Sequence, residues 1–323
     1  MTAQAVLSAL SFAFVIVFPN LALMALGYFM QRRLIINAGF IETASSMVFN
    51  YCLPCLLFFS VLKSEVSIFD QSWLLLAGVI TTFGLFFLAE IYAKFFVPEL
   101  GDKGVFVQGV FRSNMAIISL ATVANAYGDA GLGVGAVYMG IITILYNVLA
   151  VITLSRTTQK TGNWLNQATD IAIKIFKNPL IIALLLAFIY KGLNLPALPE
   201  FINTTGALLG AVALPLALIC AGATLDIRSM MQPSGVSMQA SIGRIFIAPL
   251  IAVITGVAMA LPPLQFGVLY LMVASPVAAA SYVMAKAMGG NDVLAANILG
   301  FTTVFGMIGM AVGMAILRVL GWV

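Results

Sequence analysis

Apolar residues in this chain do not alternate with polar ones; they come in long runs. Ten runs follow one another at roughly 7–30, 40–62, 72–96, 104–127, 133–155, 178–195, 204–225, 238–261, 265–288 and 294–320. A run of about 17–25 apolar residues makes a helix that spans the hydrocarbon of a bilayer. With no water there to satisfy the backbone, a helix is the form such a run must take. The pattern therefore predicts an all-α integral membrane protein of ten transmembrane helices. The longest polar interval, RTTQKTGNWLNQATDIAIKIFK at 156–177, divides the chain into a first five-helix unit, 1–155, and a second, 178–323. The second half of that cytoplasmic linker has the pattern of an amphipathic helix on the membrane surface.

Two runs are less apolar than the rest. The fourth carries RSNMAIISLATVANAYG, with Arg112, Ser113, Asn114, Ser119, Thr122 and Asn125, and the ninth carries VASPVAAASYVMAKAMGG. Displaced by 162 positions they align, Ser113 on Ser275, Asn114 on Pro276, Ser119 on Ser281 and Gly128 on Gly290. Leu53-Pro54 in the second run aligns with Leu214-Pro215 in the seventh at 161. The chain reads as a duplication. With five helices per copy the second must enter from the opposite face, which predicts two inverted five-helix repeats about a pseudo-twofold axis in the membrane plane.

Composition agrees: 62% of the 323 residues are hydrophobic and 8% charged, against roughly 45–50% and about 25% in soluble domains. The net charge of +4 is small and scattered, which excludes a nucleic-acid surface. With no His in the chain, imidazole relays and Ser-His-Asp chemistry are excluded. No cofactor and no metal site is expected. Cys52 and Cys55 form C-L-P-C inside an apolar run, where a thiolate is costly, and read as packing residues. If the N-terminus lies outside, Arg32, Arg33, Lys94, Lys103, Arg156, Lys160, Lys174, Lys177, Arg228 and Lys286 share one face; Lys63, Lys191 and Arg318 share the other. The basic face is cytoplasmic by the positive-inside rule, which places both termini on the periplasmic or extracellular side.

Polar groups in the bilayer need partners, and backbone leaves helical geometry only where it is buried or lines a cavity. The fourth and ninth helices are therefore expected to be broken and to cross near the midplane, their second half-helices offering partially positive N-termini to an anion such as a carboxylate. Pro276 lacks an N–H and supplies one break; Asn114, bonding to nearby backbone, supplies the other. Pro54 and Pro215 are further candidate helix breakers. Ser113, Ser119, Ser275 and Ser281 are candidate substrate contacts, with close packing of small residues as the competing account. Arg112 either snorkels to the surface or attracts the anion. Glu90 and Lys94, four apart on the third helix, form either an interfacial ion pair or a proton or support site beside the transport path.

With these features the chain resembles the auxin efflux carrier family, of bacterial carriers and plant PIN proteins. The resemblance rests on Asn114 and the Ala-Tyr-Gly at 126–128, NPLIIALLLAFIYKGLNLP at 178–196, ALPLALICAGATL at 213–225 and SPVAAASYVMAKAMGGNDVLAANILGFTT at 275–303. It implies a bile acid symporter/PIN-like fold. Helices 1, 2, 6 and 7 would form a scaffold and a homodimer interface; helices 3–5 and 8–10 would form a transport domain moving elevator fashion. It implies a small organic anion as substrate, malonate-like or auxin-like, with Asn114 at the carboxylate and Glu90 and Lys94 at the support site. The lack of a long cytoplasmic loop matches the bacterial type, and so a bacterial inner membrane. Coupling to H⁺ or Na⁺, a sodium-coupled symporter of the bile-acid-carrier type, and a non-transporting receptor are the other readings; an intramembrane enzyme would need a base or metal cluster that the sequence lacks.

Overall fold

The computed structural model describes residues 3–63, 69–157, 173, 177–193, 195–225 and 235–323. The expected amphipathic helix of the linker lies almost wholly outside them. The described chain is helical throughout: α1 (Ala3–Arg32), α2 (Ala38–Lys63), α3 (Ser72–Phe96), α4 (Leu100–Phe111), α5 (Leu120–Thr157), α6 (Pro179–Gly192), α7 (Glu200–Ala223), α8 (Gly235–Ala258), α9 (Pro263–Ala274), α10 (Ala279–Met288) and α11 (Asp292–Val319). Its β-pairing, among the described residues, is one isolated antiparallel bridge between Ser113 and Val277.

Seven of the described helical segments are long and apolar enough to cross a membrane. The three apolar runs missing from that number explain themselves. The fourth and ninth are interrupted, and α6, Pro179–Gly192 after its Asn178 cap, has only 14 residues, about 21 Å at the helical rise. Asp129 to Ser155 continues the preceding segment without a loop because Gly128, at φ 59° and ψ −148°, turns the chain within α5. A residue with a Cβ would be strained there. Gly289, at φ 81°, does the same after α10; it is this glycine, rather than the Gly290 that aligns with Gly128, that takes the left-handed turn.

Pro54 and Pro215 do not break their helices. Pro54 follows a π-helical turn over Val48–Cys52, in which the Leu53 N–H reaches back to Val48 O. The wider turn lets the ring in without ending α2. Pro215 sits inside a continuous α7.

Helices α1 and α7 cross in close contact. A Cβ on Gly27 would lie 1.9 Å from Ile219 O, and one on Gly222 1.9 Å from Met24 O. Such glycine contacts let backbones approach where lipid offers no hydrophobic drive for association. Outward faces carry large apolar groups, among them Phe14 and Phe29 on α1, Phe87 and Phe95 on α3 and Phe201 on α7, as a lipid-facing surface requires. In contrast α4 is buried at every residue from Gly104 to Phe111, and α9 at every residue from Phe266 to Ala274. Protein surrounds both half-helices over these residues, which are apolar on every side but for Gln108 in α4.

Candidate functional site at the helix crossover

The chain stops being helical at Arg112 (φ −90°, ψ 103°) and resumes with a π turn, Met115–Ser119. It stops again at Ser275 (φ −65°, ψ 158°) and resumes at Ala279. The two extended segments face each other. The Asn114 N–H donates to Pro276 O at 2.8 Å, and the Ala278 N–H donates to Arg112 O at 3.2 Å. Each break thus satisfies the other's backbone, and the second half-helix on each side begins at the shared bridge.

Across the bridge the residues that face each other are offset differently from those that align between the two runs. Asn114 donates its N–H across it, which a proline cannot do, so Pro276 cannot stand where Asn114 stands. Pro276 supplies its carbonyl instead and Ala278 takes the donor role. Ser113 pairs with Val277 across the bridge.

Sequence reasoning overlooked Arg244. It lies in a π turn of α8, Gly243–Ile247, and is 0% exposed. Its Nε donates to Ser275 O at 2.9 Å, and one terminal nitrogen donates to Val110 O at 2.9 Å and Phe111 O at 3.2 Å. These carbonyls end α4 and α9, where a helix carries orphan acceptors and partial negative charge. One guanidinium therefore caps both. An arginine alone in an apolar run was the available signal. Val277 N–H, the remaining donor of the second break, goes to Thr302 Oγ1 at 3.2 Å.

Arg112 does not snorkel. It is 6% exposed, and its guanidinium donates to Asn147 Oδ1 at 2.7 Å and to Met284 Sδ at 2.9 Å. Neither arginine has a carboxylate partner among the described residues. Ser113 shares a hydrogen bond with Tyr146 at 3.0 Å, and Ser119 donates to Met272 O at 3.4 Å. The hydroxyls of Ser275 and Ser281 are buried without a partner among the described residues. The Asn114 amide, 8% exposed, does not cap the turn that follows it. So Arg112, Ser113, Asn114, Ser275 and Pro276 lie at or beside the bridge; Ser119 sits further along the following turn, and Ser281 in the first turn of α10.

The described contacts of Glu90 and Lys94, read from the sequence as either an ion pair or a support site, are separate. Glu90 Oε1 accepts from Thr153 Oγ1 at 2.7 Å, while the exposed Lys94 sets its ammonium 5.7 Å from the Phe95 ring. A separate polar cluster ties α1 to the segment after the bridge: Asn20 Nδ2 donates to Thr122 Oγ1 at 2.8 Å, and Asn125 Nδ2 to Asn20 Oδ1 at 3.1 Å and Ile16 O at 3.0 Å.

Unwound backbone at the buried centre of a multi-pass helical bundle is the mark of a membrane transporter. Comparison with known proteins agrees. The model of a family described as "Membrane transport protein" matches residues 12–170 and 164–314. The chain belongs to this family, that of the auxin efflux carriers. It is 24% identical over 295 residues, 88% of this chain and 92% of the relative, to "Uncharacterized transporter YfdV" of Escherichia coli (strain K12). Proteins of the same name from Escherichia coli O157:H7 and Shigella flexneri match equally. These names describe a membrane transporter and not an enzyme.

Proposed function

We propose that the protein is a secondary transporter of a small organic anion, a carboxylate of the malonate or auxin kind, bound at the crossover. The observation that carries this reading is electrostatic. Two buried arginines border the bridge, Arg112 through its backbone and Arg244 through its guanidinium, and both heads have carbonyl, amide or thioether partners and no carboxylate among the described residues. The N-terminal ends of two half-helices begin there as well, adding partial positive charge. A buried cation without a counter-ion is costly, and a diffusible anion relieves that cost each time it binds. Asn114, Ser113, Ser275 and Ser281 offer neutral hydrogen-bonding groups around it.

The same reading takes the two halves as inverted five-helix repeats. In that arrangement α1, α2, α6 and α7 are a scaffold that pairs two copies. The remaining helices carry the crossover past that scaffold as an elevator, in an inner membrane with both termini outside. Glu90 and Lys94 flank the path as a proton or support site. The test is uptake by purified protein in proteoliposomes, with carboxylates offered under imposed H⁺ or Na⁺ gradients. Asn114→Ala is expected to abolish flux while unfolding at the wild-type temperature. Wild-type flux in that variant would remove Asn114 from the site, and no carboxylate flux in the wild type would end the reading.

A further inference from the structure

Met284 occupies a place that chemistry reserves for an oxygen. Its Sδ lies 2.9 Å from an Arg112 terminal nitrogen and 3.8 Å from Gln108 Nε2. A thioether is a weak, neutral acceptor, whereas a guanidinium pairs best with an oxyanion. Gln108 and Arg112 are four residues apart on one face at the end of α4; Ser281 and Met284 are three apart on the facing side of α10. Beside these contacts, where α4 and α10 meet α11, lies a crevice lined by Gln108 and Ser281 and walled by Val105, Val277, Ala295 and Ile298, too narrow in this conformation to admit a water molecule. Gln108 is 1% exposed, and its Oε1, like Ser281 Oγ, is buried with no hydrogen-bond partner among the described residues. Buried polar groups are rarely left unpaired, because the lost hydration is not repaid. Here Gln108 shares the Met284 sulfur with a cation that lacks a carboxylate partner among the described residues, and Ser281 lines the crevice with Gln108.

We propose that Arg112, Gln108 and Ser281 form a carboxylate-binding subsite between α4 and α10, closed in this conformation by the thioether of Met284. The methionine side chain is unbranched and turns about three bonds, so it can withdraw without moving the backbone. A substrate carboxylate then takes the Arg112 and Gln108 N–H groups that the sulfur now holds. Gln108 Oε1 remains to accept from a substrate hydroxyl and Ser281 Oγ to donate to a second carboxylate, and the apolar wall takes the hydrocarbon part. The plug lowers the fraction of molecules ready to bind and so weakens apparent affinity by that fraction.

The subsite rests on the organic-anion reading, and the experiment separates the two. Binding of malonate and of indole-3-acetate to the purified full chain is measured by thermal shift over a concentration series, alongside uptake in proteoliposomes. Met284→Leu keeps the volume but removes the acceptor, and is expected to tighten binding about fivefold. Gln108→Leu is expected to weaken it about tenfold at unchanged ligand-free unfolding temperature. Met284→Glu, which gives Arg112 a resident carboxylate, is expected to block both ligands. Wild-type binding in Met284→Leu and Gln108→Leu, with the wild type binding or transporting either probe, overturns the subsite and leaves the organic-anion reading standing. Neither binding nor uptake of either probe by the wild type overturns both.

Discussion

The two arginines at the crossover are expected to fail in different ways when each is replaced by methionine. Arg244→Met strips partners from three carbonyls, Val110 O, Phe111 O and Ser275 O, at a site closed to solvent. Each orphaned acceptor costs about 1–3 kcal/mol, and relief from burying the cation returns part of that sum. A net loss of about 3 kcal/mol follows, which at about 2 °C per kcal/mol for a chain of this size lowers the unfolding temperature by about 6 °C. Arg112→Met orphans one side-chain oxygen, that of Asn147, and one sulfur. Its stability should stay within about 1 kcal/mol of wild type while carboxylate uptake is lost. Arg244→Lys should fall between, because a single ammonium cannot span both helix ends as the planar fork does. Intrinsic-fluorescence unfolding in detergent gives the stabilities, and proteoliposome uptake gives the fluxes. Arg244→Met unfolding at the wild-type temperature, or the two methionine variants unfolding together, would refute the division of labour.

Gly27→Val should destabilise the protein more than any surface valine. The added Cβ meets Ile219 O at 1.9 Å, so α1 and α7 must part along their crossing; detergent-solubilised yield and unfolding temperature check this, and a stable variant would mean the helices slide freely. Glu90→Gln keeps an acceptor for the Thr153 hydroxyl but removes a charge. It is expected to change the dependence of flux on an imposed proton gradient while leaving folding intact, and an unaltered dependence would confine Glu90 to holding α3 against α5.

Much of the helical plan could be read from the apolar runs, because hydrocarbon allows so few alternatives. The places where the reading slipped are instructive. Pro54 and Pro215 looked like breaks, yet a π turn before the first and an uninterrupted α7 around the second accommodate them. The real interruptions depend on a partner far along the chain: Arg112 to Asn114 contain no proline and stay extended because residues 276–278 answer their backbone groups. The alignment of Asn114 with Pro276 compared residue types in sequence, whereas the bridge is decided by which residue has an N–H to give. Arg244 stood in plain view in the eighth run. Its role was hidden because its partners are main-chain carbonyls, which leave no trace in a sequence. The turn of the Arg112 head toward Asn147 and Met284 belongs to tertiary packing in the same way.

The bridge also bears on how the protein is made. The Arg112 carbonyl and the Asn114 N–H find their partners only when residues 276–278, synthesised some 160 positions later, reach the same depth. Until then those two groups lack the partners that the finished fold gives them. Membrane insertion of this chain therefore ends in a closing step that joins its two ends of synthesis, and fragments ending near residue 155 should remain substrates for quality control.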